Sequence, residues 1–300
     1  MKRISIQFML WLVLVAMASF LAEAQTSHST VRVLPDIEYA SVDDQRLLLD
    51  LYLPEKVEGA PLLVWVHGGA WRGGSKSRMP LEALVEEGWV IASVDYRLTP
   101  VARFPAQIHD IKAALRFLRA KAADYGFDAE RIAIAGNSAG GHLAALVGTT
   151  NGHQELEGSV GSHLEESSNV QATISLYGAS NLTTILKQST PFGLGVRIPA
   201  LQLLLGGQPE DKTEIARLAS PTFHVDPSDP PLLLIHGDQD PQMPISQSHE
   251  LDGLYKELGL SVQFEVAHGA VHGGPQFYDE IRLPIIKEFL KTHLLLKGSR

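Results

Sequence analysis

A short serine motif flanked by glycines is the feature of the sequence with the clearest chemical meaning. Residues 136–140 read Gly-Asn-Ser-Ala-Gly, the Gly-x-Ser-x-Gly pattern that is typical of a sharp turn from a strand into a helix. Glycine is needed two positions on either side of the serine because a side chain there would collide with a neighbouring strand or helix. An apolar run, residues 132–135, precedes the motif, and a small-residue segment, residues 139–147, follows it. This context favours a turn that exposes Ser138 as a nucleophile over a plain glycine-rich turn.

A serine hydroxyl is a weak nucleophile at neutral pH, so it needs a base that is itself oriented by a carboxylate. After such a turn, the acid and then the base are expected on loops that follow later strands. The apolar strand 232–235 leads into a loop with two carboxylates, Asp238 and Asp240. Asp238 lies next to the turn residue Gly237 and is expected to cap that turn, whereas Asp240 lies farther out. We therefore predict Asp240 as the acid.

Two histidines follow the last predicted strand, residues 262–266. His268 lies in or beside that strand, whereas His272 precedes two glycines that free its loop to approach the serine. We therefore predict His272 as the base, which completes a triad with Ser138 and Asp240. A zinc site is not expected, because no glutamate follows His268 in the His-Glu-x-x-His manner and helix-breaking glycines surround both histidines.

A second glycine-rich loop follows the predicted strand that ends at Val66. Residues 67–71 read His-Gly-Gly-Ala-Trp, and a loop of this kind can bring backbone amides to a developing oxyanion without side-chain obstruction. We predict Gly69, Ala70 and Ala139 as the three amide donors. His67 is expected to anchor the loop by hydrogen bonds rather than to act as a second base. The loop lacks the Lys-Ser/Thr of a phosphate-binding motif, and no cofactor is predicted.

Composition limits the classes of function that remain. The 300 residues include 34 acidic and 25 basic side chains, which gives a formal net charge of −9, and they include no cysteine. The absence of cysteine excludes disulfides, thiolate metal sites and a cysteine nucleophile. An acidic chain without a run of lysine or arginine is a poor partner for nucleic acid or an anionic membrane surface.

The first 24 residues have the pattern of a secretory signal peptide. Lys2 and Arg3 precede an apolar stretch, and residues 22–24 read Ala-Glu-Ala, the small-x-small pattern of a cleavage site. The alternative is an uncleaved anchor, since residues 4–22 are just long enough to span a membrane. Cleavage predicts an exported protein, periplasmic or extracellular, without stable membrane association.

Residues 25–300 alternate apolar strands with helical segments and are predicted to form one domain. This alternation predicts an α/β fold with a mostly parallel central sheet covered by helices on both faces. The strands are predicted at residues 37–40, 46–53, 62–66, 90–94, 132–135, 172–176, 232–235 and 262–266. The clearest helix begins at Pro105 and ends near Gly126. Residues 151–218 interrupt this alternation and are predicted to form a polar insertion and a possible small cap, with a short apolar piece at 198–205.

Taken together, these motifs resemble the α/β-hydrolase superfamily, and within it the hormone-sensitive-lipase-like carboxylesterases and the bacterial acetylxylan and feruloyl esterases. The resemblance covers about residues 35–290 and implies a triad at Ser138, Asp240 and His272. Two departures concern substrate class: Ala70 stands where many lipase-like members have a third glycine, and Asn137 where they have an acidic residue. The segments that carry the resemblance are 67–71, 95–98, 104–106, 136–141, 236–240 and 272–274.

The resemblance implies a secreted serine carboxylic ester hydrolase, acting on short-chain, acetyl or hydroxycinnamoyl esters, free or linked to plant carbohydrate. Trp71, Phe192 and Met243 are candidates for the substrate pocket, with core packing as the alternative for each. Because His-Gly-Gly-x-Trp also occurs in kynurenine formamidases, an arylformamidase is the alternative enzyme, although an exported location argues against it. A non-catalytic binding module is disfavoured because the whole triad is present. The sequence gives no indication of the oligomeric state.

Overall fold

A single mixed sheet organises the protein. The computed structural model describes residues 31–295, so the predicted signal peptide, residues 1–24, lies outside the described residues. Eight strands lie in the order β1-β2-β4-β3-β5-β6-β7-β8. They are β1 (Arg32–Val42), β2 (Gln45–Leu53), β3 (Ala60–Val66), β4 (Val90–Val94), β5 (Phe127–Asn137), β6 (Ala172–Leu176), β7 (Leu232–Gly237) and β8 (Val262–Ala267). β2 pairs antiparallel with β1 and β4, and all other neighbours are parallel. The predicted mostly parallel sheet is therefore confirmed.

The central strands are apolar along their whole length because both of their faces are covered. In β3, Leu62, Val64 and Val66 belong to the larger apolar core, whereas Leu63 and Trp65 belong to a second core. Successive side chains of a strand point to opposite faces of the sheet, so the two cores lie on its two sides. The short apolar runs that predicted strands are therefore a direct result of burial on both faces.

β1, one of the two edge strands of the sheet, is irregular. Its pairing register with β2 shifts between Leu34 and Ile37 and again between Glu38 and Ala40. Pro35 lies inside the first shift, and the next residue, Asp36, has a positive φ of 57°. The strand is longer than the predicted segment 37–40, because its largely exposed first half is interrupted by Pro35 and carries no alternating apolar pattern.

Helices cover the sheet on both sides. The predicted helix from Pro105 to Gly126 is present but breaks at Lys121, and Gly126 ends it in a left-handed conformation. No helix within residues 31–295 is both long and apolar enough to cross a bilayer. The helices are α1 (Glu82–Glu86), α2 (Ala106–Ala120), α3 (Ala122–Tyr125), α4 (Ala139–Gly148), α5 (Gln154–Glu157), α6 (Ile185–Gln188), α7 (Pro191–Leu205), α8 (Thr213–Leu218), α9 (Ser246–Glu257) and α10 (Arg282–Leu290).

β6, a strand of the central sheet, divides the segment 151–218 into two parts with different positions. Residues 151–169 lie against α2, because Glu157 accepts hydrogen bonds from the buried Lys112, at 2.6 Å, and from Arg116, at 3.1 Å. Residues 185–218 form α6 to α8. α7 begins seven residues before the predicted apolar piece at 198–205, because the Thr190 hydroxyl caps its first turn by accepting from the Gly193 amide at 3.0 Å.

Candidate active site

Ser138 lies in a sharp turn between the end of β5 and the start of α4. Its backbone has a φ of 54°, in the left-handed region that a residue with a side chain seldom adopts. A Cβ added at Gly140 would overlap the carbonyl oxygen of Val66, and one added at Gly136 would overlap the carbonyl oxygen of Gly140. The two glycines of the motif are therefore required by the close approach of β3, β5 and α4, as the sequence predicts.

The three residues of the predicted triad lie together at the carboxyl ends of the strands. His272 Nε2 is 2.9 Å from Ser138 Oγ, and His272 Nδ1 is 2.6 Å from Asp240 Oδ2. With its Nδ1–H donating to Asp240, the neutral imidazole has Nε2 free to accept the serine hydroxyl proton. The arrangement is that of a nucleophile, a general base and an orienting carboxylate.

The two rejected candidates pair with each other elsewhere. His268 Nδ1 lies 2.7 Å from Asp238 Oδ2, and the His268 side chain is 82% exposed. The Asp238 carboxylate also accepts a hydrogen bond from the Gly269 amide at 2.8 Å. This pair joins the loops after β7 and β8 at the surface, away from Ser138.

Asp240 is held as a carboxylate by its neighbours. Burial alone would raise its pKa, but hydrogen bonds from His236 and His272 outweigh this effect and hold the pKa of Asp240 well below its usual range. The amides of Gln242 and Met243 each donate to Asp240 Oδ1 at 2.8 Å. With its side chain only 1% exposed, Asp240 is a fixed negative charge behind the imidazole.

The loop after β3 places backbone amides beside the serine. Gly69 and Ala70 line the same cavity as Ser138, and among residues 31–295 neither of their amides donates a hydrogen bond to another group. Ala139 follows Ser138 directly as the first residue of α4, where a helix leaves its amides without intrahelical acceptors. The structure thus brings the three predicted amide donors to the neighbourhood of the nucleophile.

Asn137 fixes this loop to the turn that carries the nucleophile. Its Oδ1 accepts from the Gly68 amide at 2.9 Å, and its Nδ2 donates to the Tyr177 hydroxyl at 3.0 Å. The Tyr177 ring contacts His272 edge-on, with 5.0 Å between ring centroids. Asn137 therefore accepts from the loop after β3 and donates to Tyr177 at the same time.

The prediction that Trp71 lines the substrate pocket is wrong. Its side chain is fully buried in the larger core and does not line the cavity, and Met243 is buried in the same core. Phe192 is 62% exposed on α7 and also lies outside the cavity wall. The indole Nε1–H of Trp71 donates to Nδ1 of His142, at 3.1 Å. Trp71 therefore holds the loop 67–71 against α4 instead of contacting a substrate.

His67 has the anchoring position that the sequence predicts. Its ring is buried and stacks on Tyr96 at 4.6 Å, and its Nδ1 lies 2.8 Å from the Gly68 carbonyl oxygen. The Tyr96 hydroxyl donates to the His67 carbonyl oxygen at 3.1 Å. The first residue of the loop is therefore fixed on both sides.

A cavity of about 840 Å³ opens beside Ser138. Its walls include Tyr177 and Tyr278, and Val196 of α7. The segment 151–218 therefore contributes to the site through Tyr177, which follows β6, and through α7. Two arginines, Arg72 and Arg78, also line it. Within residues 31–295 no group of three or more histidine, aspartate or glutamate side chains is arranged to hold a metal ion.

Sequence reasoning missed several residues that shape the site. His236 faces Asp240 at 3.5 Å, His142 supports Trp71, and Arg197 lies fully buried on α7. His236 lies in the segment 236–240, but the sequence gave it no role, and His142 and Arg197 belong to no short motif. The one available signal was a polar residue inside an apolar segment, as for His142 in 139–147 and Arg197 near 198–205.

Comparison with known proteins places the chain in a family. The BD-FAE family model matches residues 49–254, more than half of the chain and a range that includes Ser138 and Asp240. The chain belongs to the BD-FAE family. Its eight-stranded sheet with the strand–turn–helix at Ser138 is the α/β-hydrolase fold.

Similar proteins were found both by sequence and by structure. Esterase LipC of Mycobacterium tuberculosis is 34% identical over 240 residues, which are 77% of this chain and 58% of that protein. The solved structure of a truncated carbohydrate esterase from gut microbiota has a TM-score of 0.78 at 30% identity, covering 90% of this chain and 98% of that one. A bifunctional GH43-CE protein of Bacteroides eggerthii has a TM-score of 0.79 at 33% identity, covering 87% and 35%. The chain spans about half the length of the curated relatives it matches.

Proposed function

We propose that this protein is a serine carboxylesterase in which Ser138, His272 and Asp240 form the triad. The observation that carries the proposal is the continuous hydrogen-bonded relay from Ser138 Oγ through His272 to Asp240, at 2.9 and 2.6 Å, beside an open cavity. The names of two of the proteins compared above support ester hydrolysis, since LipC is called an esterase and one solved structure is called a carbohydrate esterase.

The proposed reaction begins with attack of Ser138 Oγ on the ester carbonyl carbon while His272 Nε2 takes the hydroxyl proton. Asp240 stabilises the imidazolium that forms, and the amides of Gly69, Ala70 and Ala139 donate to the oxyanion. When the tetrahedral intermediate collapses, His272 returns the proton to the leaving alcohol oxygen.

The acyl group then remains on Ser138 as an ester. A water molecule attacks the acyl carbon, His272 takes a proton from that water, and the second tetrahedral intermediate collapses to the carboxylic acid. The serine oxygen leaves with the proton from His272, so the enzyme returns to its starting state.

The direct test is the replacement Ser138→Ala in the purified protein, measured on short p-nitrophenyl esters. We expect kcat to fall by about 10⁵-fold or more, since the nucleophile and base act as one unit. Ser77→Ala is the matched control, because Ser77 also lines the cavity and is exposed. Hydrolysis that survives in the Ser138 variant would overturn the assignment.

For the substrate, we propose acetyl or hydroxycinnamoyl esters of plant carbohydrate. The names of the two structural neighbours, a carbohydrate esterase and a GH43-CE protein, support this class. A panel of acetylated xylan, methyl ferulate and N-formylkynurenine tests it, because an arylformamidase would use the same triad on the third compound alone. Preference for N-formylkynurenine would replace the esterase proposal with the amidase one.

We also propose that the protein is exported and that residues 1–24 are removed. The charged start, the apolar stretch and the Ala-Glu-Ala sequence at 22–24 support this proposal. Expression in a bacterial host should give an exported form whose N-terminal sequence begins at Gln25, and Ala24→Arg should block its processing. A retained N-terminus in the unsubstituted protein would favour the anchor instead.

A further inference from the structure

The cavity beside Ser138 has an unusual balance of charge. Two arginines, Arg72 and Arg78, line it, and no aspartate or glutamate of residues 31–295 does. The chain as a whole carries nine more acidic than basic side chains. A positive cavity in an acidic protein therefore reflects the local arrangement of residues rather than the composition.

Both guanidinium groups are exposed and unpaired. Neither Arg72 nor Arg78 forms an ion pair with a carboxylate of residues 31–295. Lys76, on the same loop, differs: its ammonium lies 2.8 Å from Asp36 and 2.6 Å from Asp50. The loop thus carries one cation that is paired with carboxylates, Lys76, and two arginines in the cavity lining that form no ion pair within residues 31–295.

The backbone that carries the two arginines is fixed. The Arg72 amide donates to the Gly69 carbonyl oxygen at 3.1 Å, which ties Arg72 to the loop of the proposed amide donors. The Arg78 carbonyl oxygen accepts from Nε1 of Trp65 at 2.8 Å. Fixed backbone positions reduce the entropy that a bound ligand would have to remove.

A third arginine, Arg197, interacts electrostatically with Arg72. Arg197 on α7 is fully buried, and its three nitrogens have no hydrogen-bond partner within residues 31–295. Burial lowers the pKa of Arg197 to about 10; the charge of Asp240 opposes this shift and that of Arg72 adds to it. Arg72 therefore lies in a region where positive charge is only partly compensated, and a bound anion would stabilise it.

We propose that this cavity selects esters that carry a carboxylate or a similar anionic group near the scissile bond, with Arg72 and Arg78 as the binding residues. Guanidinium groups bind carboxylates through two parallel N–H···O bonds, which gives direction as well as charge. The anionic group can lie on the acyl side, as in half-esters of dicarboxylic acids, or on the alcohol side, as in acidic sugars. This inference rests on the proposed function, since the ester must be cleaved at Ser138.

Matched pairs of esters test the proposal and separate the two sides. On the acyl side we would compare p-nitrophenyl hydrogen adipate with p-nitrophenyl hexanoate, and on the alcohol side para-acetoxybenzoate with its methyl ester. The quantity measured is the ratio of kcat/KM for the charged ester to that for the neutral ester within one variant. This ratio is independent of the fraction of protein that is active.

The variants are Arg72→Gln, Arg78→Gln and the double variant, with Arg46→Gln as the control. Arg46 is an exposed arginine that pairs with Glu38 outside the cavity, so its loss removes the same charge from another place. We expect the ratio for at least one ester pair to fall about fivefold in the double variant and to stay unchanged in the control. Arg→Lys replacements should retain part of the ratio, and added salt should lower it in the unsubstituted protein.

The outcomes distinguish this inference from the proposed function. If neutral esters are hydrolysed through Ser138 but both ratios are the same in the double variant and the unsubstituted protein, anion selection is wrong and the esterase remains. If the unsubstituted protein hydrolyses neither ester of either pair, both proposals fail. An equal fall in the Arg46→Gln control would assign the effect to net charge and overturn the role of the cavity.

Discussion

At the scale of single residues, two aspartate–histidine pairs lie on the same two loops but in different surroundings. Asp240 is buried, whereas 14% of the His272 side chain is exposed. Asp240 also accepts hydrogen bonds from two backbone amides and faces His236. The other pair, Asp238 and His268, forms a similar contact at the surface, where water screens its charges. Only the pair of Asp240 and His272 reaches Ser138. The pair of Asp238 and His268 instead connects the two loops at the surface.

The replacement Asp240→Asn should lower kcat by about 10⁴-fold, because the amide favours the wrong tautomer of His272 and cannot stabilise its charged form. Asp238→Asn is the matched control and should change kcat less than about twofold. Steady-state hydrolysis of a p-nitrophenyl ester measures both. A larger effect at Asp238 than at Asp240 would reverse the assignment made from the order of residues along the loop.

The positions of the proposed triad could be predicted because they depend on chain order and on loops that follow strands. Trp71 could not be placed in the same way. Its neighbours in sequence suggest the pocket, but its indole turns away from the cavity and donates to His142, seventy-one residues later. Arg197 gave no signal for a similar reason, since a buried charge is recognisable only when its surroundings are known.

At the scale of elements, the contact between β3, β5 and α4 decides which glycines are replaceable. Gly140 in α4 packs its backbone directly on the carbonyl oxygen of Val66. Gly253 in α9 has open space where a side chain would be and is exposed. Both are helical glycines, so helix propensity alone would favour alanine at both positions by similar amounts.

Gly140→Ala should therefore destabilise the protein by more than about 2 kcal/mol and reduce activity, because β3 or α4 must move. Gly253→Ala should raise the free energy of unfolding by about 0.5–1 kcal/mol. Urea unfolding followed by circular dichroism compares the two. A neutral result at Gly140 would show that the packing against Val66 is looser than the structure indicates.

The strands were predicted well because burial on both faces leaves long apolar runs with β-branched residues. β4 and β6 have the predicted bounds, 90–94 and 172–176. α7 was not predicted as a helix: the sequence indicated only a short apolar piece at 198–205, and Gly193, Gly195 and Pro199 lower the helix propensity of this segment. Capping at Thr190 and packing of one face against the core outweigh this low propensity, and neither effect is visible in a local pattern.

At the scale of the whole molecule, His142 links three distant parts of the chain. Its Nδ1 accepts from Trp71 in the loop after β3, its Nε2 donates to the Ala219 carbonyl oxygen at 2.6 Å, and its own backbone lies in α4. Burial lowers the pKa of His142 to about 4; the hydrogen bond to Ala219 opposes this shift and the charge of Arg197 adds to it. The imidazole is therefore neutral in the folded protein, with both nitrogens bonded.

This histidine should make stability depend on pH below neutrality. In the unfolded chain its pKa is about 6.5, so between pH 6.5 and 4 the unfolded state binds a proton that the folded state does not. The contribution of neutral His142 to the free energy of unfolding is therefore fully present above pH 6.5. This contribution falls by about 3 kcal/mol as the pH is lowered towards 4. Urea unfolding at a series of pH values should show a smaller loss in His142→Gln than in the unsubstituted protein.

The control for this effect is His249→Gln, which removes an exposed histidine that pairs with no carboxylate of residues 31–295 and should keep the pH dependence of the unsubstituted protein. The comparison uses the slope with pH rather than the absolute stability, because His142→Gln also removes a buried contact. Parallel curves for His142→Gln and the unsubstituted protein would show that another group titrates instead.

The irregularity of β1 affects whether two copies of the protein can pair their sheets at this edge. β1 lies at the end of the sheet, where a regular strand would present a row of free amides and carbonyl groups to a neighbouring molecule. Two register shifts bend it, and Pro35, which has no amide hydrogen, interrupts its hydrogen-bonding pattern. A second copy therefore finds no continuous template for strand addition at β1, which hinders aggregation through this edge of the sheet.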